Sequence, residues 1–292
     1  MNSKILVTGA NGQLGNEIRR ICRNFPGLEF IFTDVDMLDI TNPDAVSVFM
    51  EASKPAIVVN CAAYTNVDGA EENVKNVRKI NSLAPQVLAA ACAMQDAFLI
   101  HISTDYVFDG ESTKPYTEDD ETNPISVYGN SKLEGEEKIR TVFDNYLILR
   151  TSWMYSEFGH NFVRSIISLA KDRETLEIVN DQFGSPTYAR DLANCIIDII
   201  IKSILNPKAY LPGIYHYANQ GSCSWYEFAQ EILDIVGIKT CKLVPISTEQ
   251  YPSVAKRPKY SVLDTTRIRS SFGIGIPNWR DSLRECLSSM RS

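Results

Sequence analysis

Tyr128 and Lys132 stand four residues apart in the stretch Tyr-Gly-Asn-Ser-Lys. In a helix that begins near Tyr128, positions four apart share one face. An ammonium beside a phenol favours the phenolate and draws its pKa from about 10 toward neutrality. The tyrosine then becomes a usable general acid for reducing a carbonyl. The lysine can also donate to the hydroxyls of a nicotinamide ribose. Alone, the spacing describes a solvated helix face equally well. Thr104 adds a third group. It ends the run His101-Ile102-Ser103-Thr104, and open α/β sheets bind ligands at the carboxyl ends of their strands. A hydroxyl there is placed to hydrogen-bond both a carbonyl oxygen and the tyrosine. Thr104, Tyr128 and Lys132 are the catalytic candidates.

A reduction also needs a hydride source, and the N-terminal region offers a seat for one. Gly9, Gly12 and Gly15 recur at intervals of three within Thr8-Gly9-Ala10-Asn11-Gly12-Gln13-Leu14-Gly15, between a strand and a helix. Glycine permits the sharp turn and the close approach of backbone to a pyrophosphate, and a helix start supplies free N–H groups. The spacing differs by one residue from Gly-x-Gly-x-x-Gly. Asp34 follows Gly15 by 19 residues, where an acid accepts hydrogen bonds from the adenosine ribose. Asp36 is nearby, and no lysine or arginine lies between Thr33 and Thr41, so local chemistry leans to NADH over NADPH.

The elements that must position these residues follow from periodicity. Lys4–Val7, Phe30–Phe32, Ile57–Asn60, Phe98–Ser103 and Tyr146–Arg150 read as strands. Helical stretches lie between them: Leu14 to Phe25, Ala45 to Met50, and Asn73 to Ala93 with a bend at Pro85. Continuously apolar strands that alternate with helices predict a doubly wound α/β parallel sheet. Beyond Arg150, Asn161–Ala170 reads as helix and Asp181–Thr187 as loop. Asp191–Ile201 reads as a helix returning to the sheet, with Gly213–Tyr217 a last strand. The rest, punctuated by Pro245, Pro252, Pro258 and Pro277, is assigned to a smaller lobe. The dinucleotide-binding part is expected at 1–152 plus about 188–217, and the substrate lobe at about 153–187 plus 218–292.

Composition narrows the classes further. The 292 residues carry a net charge of −7, which argues against a nucleic-acid surface. Seven cysteines without a Cys-x-x-Cys pair predict no disulfide framework and a reducing compartment. His101, His160 and His216 have no ligand spacing and read as ordinary fold histidines. No leader-like segment opens the sequence, and the apolar run near Ile196–Leu205 is too polar to span a bilayer, so a cytoplasmic protein is expected. Glu118-Asp119-Asp120-Glu121 reads as a solvated turn.

With these residues in hand, the chain resembles the extended short-chain dehydrogenase/reductases. The resemblance runs through the glycine turn, Asp39-Ile40-Thr41, Val59-Asn60-Cys61-Ala62-Ala63-Tyr64-Thr65-Asn66-Val67-Asp68, and Ser103-Thr104-Asp105-Tyr106-Val107-Phe108-Asp109-Gly110. It continues through Tyr128–Lys132, Arg150-Thr151-Ser152-Trp153 and Asp181–Thr187. It implies a Rossmann-type fold with a smaller C-terminal α/β substrate lobe, and NADPH or NADH as cofactor. Gly9, Asn11, Gly12, Gln13, Leu14, Gly15 and Asp34, with Tyr128 and Lys132, are the expected cofactor contacts. Asp39 and Ile40 would lie against the adenine, with Ala62, Ala63 and Tyr64 beside the cofactor. Thr65, Val67, Thr104, Asp105 and Trp153 would approach the sugar of a nucleotide-linked substrate. The implied reaction reduces the C4 ketone of a dTDP-linked deoxyhexulose and feeds rhamnose-containing cell-surface polysaccharides.

Some members of this family are described as dimers bridged by a metal held by glutamates. Glu17 offers one ligand, but Tyr188-Ala189-Arg190-Asp191 offers no second, and no metal is expected. A monomer or a homodimer is expected. Two alternatives share the fold. Nucleotide-sugar epimerases and 4,6-dehydratases recycle bound NAD, but the dehydratases carry Asp-Glu after the threonine, whereas Tyr106 follows Asp105 here. A regulatory subunit like that of methionine adenosyltransferase lacks the chemistry, against which Thr104, Tyr128 and Lys132 are intact.

Overall fold

The computed structural model describes residues 3–205 and 211–290. Positions 206–210, within the segment of about 188–217 assigned to the dinucleotide-binding part, lie outside the described residues, as do 1–2 and 291–292. The N-terminal half runs β1 (Lys4–Thr8), α1 (Gln13–Ile21), β2 (Glu29–Phe32), α2 (Pro43–Ser53), β3 (Ile57–Asn60), α3 (Val67–Glu72), α4 (Val74–Arg78), α5 (Ala84–Gln95) and β4 (Phe98–Thr104). It continues through α6 (Val127–Val142), β5 (Tyr146–Thr151) and β6 (Met154–Tyr155). Then come α7 (Phe162–Asp172), β7 (Thr175–Val179), β8 (Phe183–Gly184), β9 (Thr187–Tyr188), α8 (Ala189–Leu205) and β10 (Gly213–His216). The chain closes with β11 (Cys223–Ser224), α9 (Trp225–Val236), β12 (Lys242–Ile246), α10 (Thr266–Phe272) and α11 (Trp279–Ser289).

The central sheet is parallel throughout, in the order β10-β5-β4-β3-β1-β2. Side chains alternate across it. Ile5 and Val7 of β1 pack with Leu14 and Ile18 of α1 and with Ile196, Ile197 and Ile200 of α8. Leu6 faces the other way, onto Val46 and Met50 of α2 and Leu88 of α5. Both faces are covered, which is why the strands read as unbroken apolar runs. The strand order reverses between β1 and β3, and the crevice outside their carboxyl ends is where open α/β sheets take ligands.

The expected helix over Asn73–Ala93 is three segments. A π-helical stretch at Lys79–Leu83 joins α4 to α5, and Pro85 sits in the first turn of α5. Proline cannot donate to the carbonyl four residues back, that of Asn81. That carbonyl lies where a Cβ on Gly135 would come within 2.2 Å of it, so α6 packs tightly against the bend.

The C-terminal region is more regular than its prolines imply. β7 and β12 pair in parallel, and α7, α9 and α11 enclose a second core around Phe228, Ile232, Trp279 and Leu283. Two corrections belong here. Asp181–Thr187 holds the short strand β8, which pairs with β11, and ends on the start of β9. Glu118 is not solvated: it accepts the His216 backbone N–H at 2.9 Å and faces Arg267, with its side chain 2% exposed.

Candidate active site

Two clefts meet at the carboxyl edge of the sheet. The first, about 520 Å³, is lined by Gly9, Asn11, Gly12, Asp34, Asp39, Ile40, Ala62 and Ala63, joined by Asn76 and Lys79. Its floor requires glycine. Gly9 has φ +62°, and a Cβ there would lie 2.6 Å from the Ala62 nitrogen; one on Gly15 would lie 2.5 Å from Ala10 Cα. Gly12 caps α1 without a side chain, so the first N–H groups of that helix face the cavity unmasked. Asp34 accepts from the Asn11 and Val35 amides at 2.9 and 2.8 Å, which holds the turn. These features fit a nicotinamide dinucleotide.

Six of the expected cofactor residues stand apart from this cavity, and two of them, Tyr128 and Lys132, line the second cleft described below. Leu14 packs into the core, and Gly15 shapes the turn by letting α1 approach Ala10. Tyr64 is held from behind, its N–H donating to Asn81 Oδ1 at 2.8 Å, and Gln13 lines the second cleft. Lys79 was not singled out from the sequence. It comes from the π-helical stretch, distant in the chain, and its charge helps hold Asp39 below the usual carboxylate range after the hydrogen bonds from Thr41. The cavity thus holds a cation as well as the acids Asp34 and Asp39.

The second cleft, about 300 Å³, brings together Thr65, Val67, Thr104, Asp105, Tyr128, Lys132 and Trp153. Ser126 caps α6 by accepting the Gly129 N–H at 3.1 Å, which places Tyr128 and Lys132 in the first turns of one helix. Thr104 ends β4; its hydroxyl donates to Asp105 Oδ1 at 3.0 Å and accepts from the Tyr106 N–H at 3.2 Å. Burial pushes the Asp105 carboxyl up to about 6.

Tyr128 and Lys132 share a face as expected, but their electrostatics do not follow the expectation. Burial pushes the Tyr128 phenol up to about 12, the Thr104 hydroxyl pulls it down, and the Asp105 carboxylate adds to the rise. Lys132 is turned away, its Nζ donating to the Ile102 carbonyl at 2.6 Å. The predicted depression of Tyr128 by Lys132 is therefore absent, because a backbone carbonyl of β4 captures the lysine. Burial in turn pushes Lys132 down to about 8.

Trp153 is held in the left-handed region, φ +46°, and stacks on Trp225 with centroids 3.5 Å apart and planes 7° from parallel. Gly184 makes the space: a Cβ there would lie 2.4 Å from the Trp153 ring. Trp225 and His160 line this cleft too and were not picked out as site residues from the sequence; they meet Gln13 there from segments far apart in the chain. A Trp-Tyr-Glu run after a serine carries a helix-start signal but nothing that says which cleft it faces.

Glu17 lies elsewhere. It is buried under Arg190 (Nε–Oε2 3.3 Å), whose guanidinium also bonds Glu157 at 2.5 Å and Glu285 at 3.2 Å. The cation these carboxylates face is thus a side chain. Among the described residues, no group of three or more His, Cys, Asp or Glu side chains converges as a metal site.

The parallel sheet, the glycine cradle and the threonine–tyrosine–lysine cleft on one edge place the chain among the extended short-chain dehydrogenase/reductases. Within that class it belongs to the RmlD substrate binding domain family, whose model matches residues 3–292. A relative named dTDP-4-dehydrorhamnose reductase from Aggregatibacter actinomycetemcomitans is 41% identical over 97% of each chain. Among solved structures, a dTDP-4-dehydrorhamnose reductase from Clostridium acetobutylicum superposes with a TM-score of 0.93 at 44% identity, covering 99% of this chain and 100% of its own. One from Bacillus anthracis, solved in complex with NADP, gives the same TM-score at 38% identity, with the same coverage.

Removing the indole of Trp153 is expected to raise KM for a sugar nucleotide about 2- to 10-fold, since an aromatic stack contributes about 0.5–1.5 kcal/mol beyond its buried area. KM for the nicotinamide nucleotide should hardly change. Steady-state kinetics on Trp153→Ala checks this, and equal changes in both would show a role in folding alone.

Proposed function

We propose that this protein reduces the C4 ketone of dTDP-4-dehydro-L-rhamnose to give dTDP-L-rhamnose, using NADPH or NADH. The observation that carries the reading is the single cleft in which Thr104, Tyr128 and Lys132 meet the stacked Trp153 and Trp225, beside the glycine cradle. The identity of the full-length relatives supports the choice of substrate.

The bound nicotinamide supplies the hydride. The chain's part is to hold the ketone and deliver a proton. With its phenol at about 12, Tyr128 is protonated at neutral pH and donates to the oxygen as charge develops there. Thr104 fixes that oxygen against Tyr128, and Lys132 holds the cofactor ribose once its hydroxyls compete with the Ile102 carbonyl. Trp153 and Trp225 form the apolar wall against the sugar and keep water from the reacting carbon. The nucleotide occupies the adjoining groove of about 760 Å³, where Phe162, Trp225 and Tyr251 offer rings and Arg173 offers charge, beside an Arg257 already paired with Asp68 at 2.7 Å. The two-part organisation at 1–152 plus 188–217 and 153–187 plus 218–292 belongs to this reading, since the second core carries that groove.

Tyr106, rather than a glutamate, follows Asp105, which supports reduction over dehydration. The seven free cysteines support a reducing, cytoplasmic setting, and no helix among the described residues is long and apolar enough to cross a membrane. The negative net charge supports a small anionic substrate held by local cations over nucleic acid. The protein acts as a monomer or homodimer.

The test follows NADPH and NADH oxidation with dTDP-4-dehydrorhamnose and with its 6-hydroxyl analogue. Oxidation dependent on the 6-deoxy sugar supports the reading. Turnover of a sugar nucleotide without added NAD(P)H would replace it with the epimerase or dehydratase alternative.

A further inference from the structure

A buried hydrogen-bond chain runs behind Lys132 through Thr8, Asn60 and His101, all of them 1% exposed or less. Its direction is set at one end. The Ala62 backbone N–H donates to Asn60 Oδ1 at 3.1 Å, and a backbone N–H has no other role to play. The Thr8 hydroxyl donates to the same oxygen at 2.8 Å. The Asn60 amide nitrogen therefore faces His101 Nδ1, 3.0 Å away, and donates to it. Burial and the neighbouring Lys132 hold His101 well below its ordinary pKa, so the ring is neutral. A neutral imidazole with Nδ1 accepting carries its proton on Nε2. That nitrogen lies 3.3 Å from Lys132 Nζ.

We propose that Asn60 and His101 set the charge of Lys132, by presenting an N–H donor rather than a lone pair to its amino group, so that the lysine takes up a proton when a cofactor ribose arrives. A neutral amine accepts from the histidine and still donates to the Ile102 carbonyl; an ammonium has no lone pair for the histidine and is repelled. Two ribose hydroxyls beside Nζ would provide acceptors and reverse the preference. His101 and Asn60 are positioning residues here, acting through the lysine.

The other groups around Lys132 bear on its charge as well. Glu136, on the same helix, and Cys61, beyond β3, both favour the ammonium, and Tyr128 and Asp105 line the same cleft. Glu136 is already neutralised by Arg150 of β5 at 2.7 Å, which limits its help. Burial dominates, and Lys132 is left at about 8. Below that value the lysine is charged before the cofactor binds; above it, binding must bring a proton in.

This inference rests on the nicotinamide reading for its last step only. The first experiment needs no cofactor: nitrogen-15 NMR of the histidine side chains in the whole protein, with the His101 signals identified by their loss in His101→Gln. The Nε2–H tautomer, unprotonated from about pH 6 to 9, is expected; the Nδ1–H tautomer or an imidazolium would overturn the proposal. The second is calorimetry of NADH binding in two buffers of different ionisation heat. Wild-type protein should take up most of a proton at about pH 9 and little at about pH 6.5, the difference following from a lysine near pKa 8. Asn60→Asp offers only acceptors, moves the histidine proton to Nδ1 and should abolish the uptake. Equal uptake at both pH values, or uptake unchanged in a folded Asn60→Asp, would contradict the mechanism. Failure of NADH and NADPH to bind at all would count against the reductase reading, while the tautomer would still decide the chain's direction.

Discussion

Replacing Tyr128 with phenylalanine is expected to lower kcat by about 10²- to 10⁴-fold, the usual contribution of a positioned general acid, with NADPH affinity unchanged within about twofold. The ring packs edge-on against Tyr106 with centroids 5.6 Å apart, and phenylalanine keeps that contact. Only the hydroxyl, with its Thr104 partner, is lost. The phenol's high pKa also gives the variant a companion observation. Because it is raised to about 12, Tyr128 stays protonated through the neutral range, and no loss of kcat from its ionisation is expected below about pH 10. A rate profile in which Tyr128 titrates near pH 7 would mean that the bound state depresses the phenol far below its value here. A phenylalanine variant of full activity would remove Tyr128 as the proton donor.

The largest effect on stability is expected at Glu136. Its carboxylate is 1% exposed and accepts from Arg150 at 2.7, 3.0 and 3.2 Å and from the Ser103 hydroxyl at 2.5 Å. These bonds tie α6, which carries Tyr128 and Lys132, to β4 and β5. Arg150 is 3% exposed, and its Nη1 already lacks a partner. Glu136→Ala leaves the guanidinium as an uncompensated buried charge, at a cost of about 3–5 kcal/mol. The urea midpoint should fall accordingly. Glu136→Gln retains an acceptor and the side-chain volume, and its loss should be smaller. An unfolding free energy for Glu136→Ala within about 0.5 kcal/mol of wild type would show that water or a rearranged partner rescues Arg150.

The sheet was legible because its strands are buried on both faces and separated by helices with clear periodicity. Ile5-Leu6-Val7 and Ile57-Val58-Val59 have nowhere to go but a two-sided core. The second lobe was legible only in part: Asn161–Ala170 reads as the helix that becomes α7, but the elements after it do not, although their signals exist. Ser224 and Glu227 form a capping box that opens α9, and β7 alternates exposed Thr175 and Glu177 with buried Leu176. Its prolines read as breaks in periodicity, yet one of them, Pro245, sits inside β12, in a two-stranded sheet where no strand is central.

The site divides in the same way. Thr104, Tyr128 and Lys132 are recognisable because strand end and helix start fix them locally. Lys79 and Trp225 are not, since only the tertiary fold brings them to the clefts. The lysine's electrostatic role was misread from spacing alone. Four residues along a helix place Nζ near a phenol, but the Ile102 carbonyl and His101, invisible to a helical period, decide where it points.

The most direct test of the proposed activity uses cofactor deuterated at the transferable position of the reduced nicotinamide, with dTDP-4-dehydrorhamnose as substrate. One deuterium should appear at C4 of the sugar in the product, one for each cofactor oxidised, and NMR of the purified sugar nucleotide reads it. A product formed without deuterium at C4, or formed with no cofactor oxidised, would contradict a C4 reduction in the cleft of Thr104, Tyr128 and Lys132.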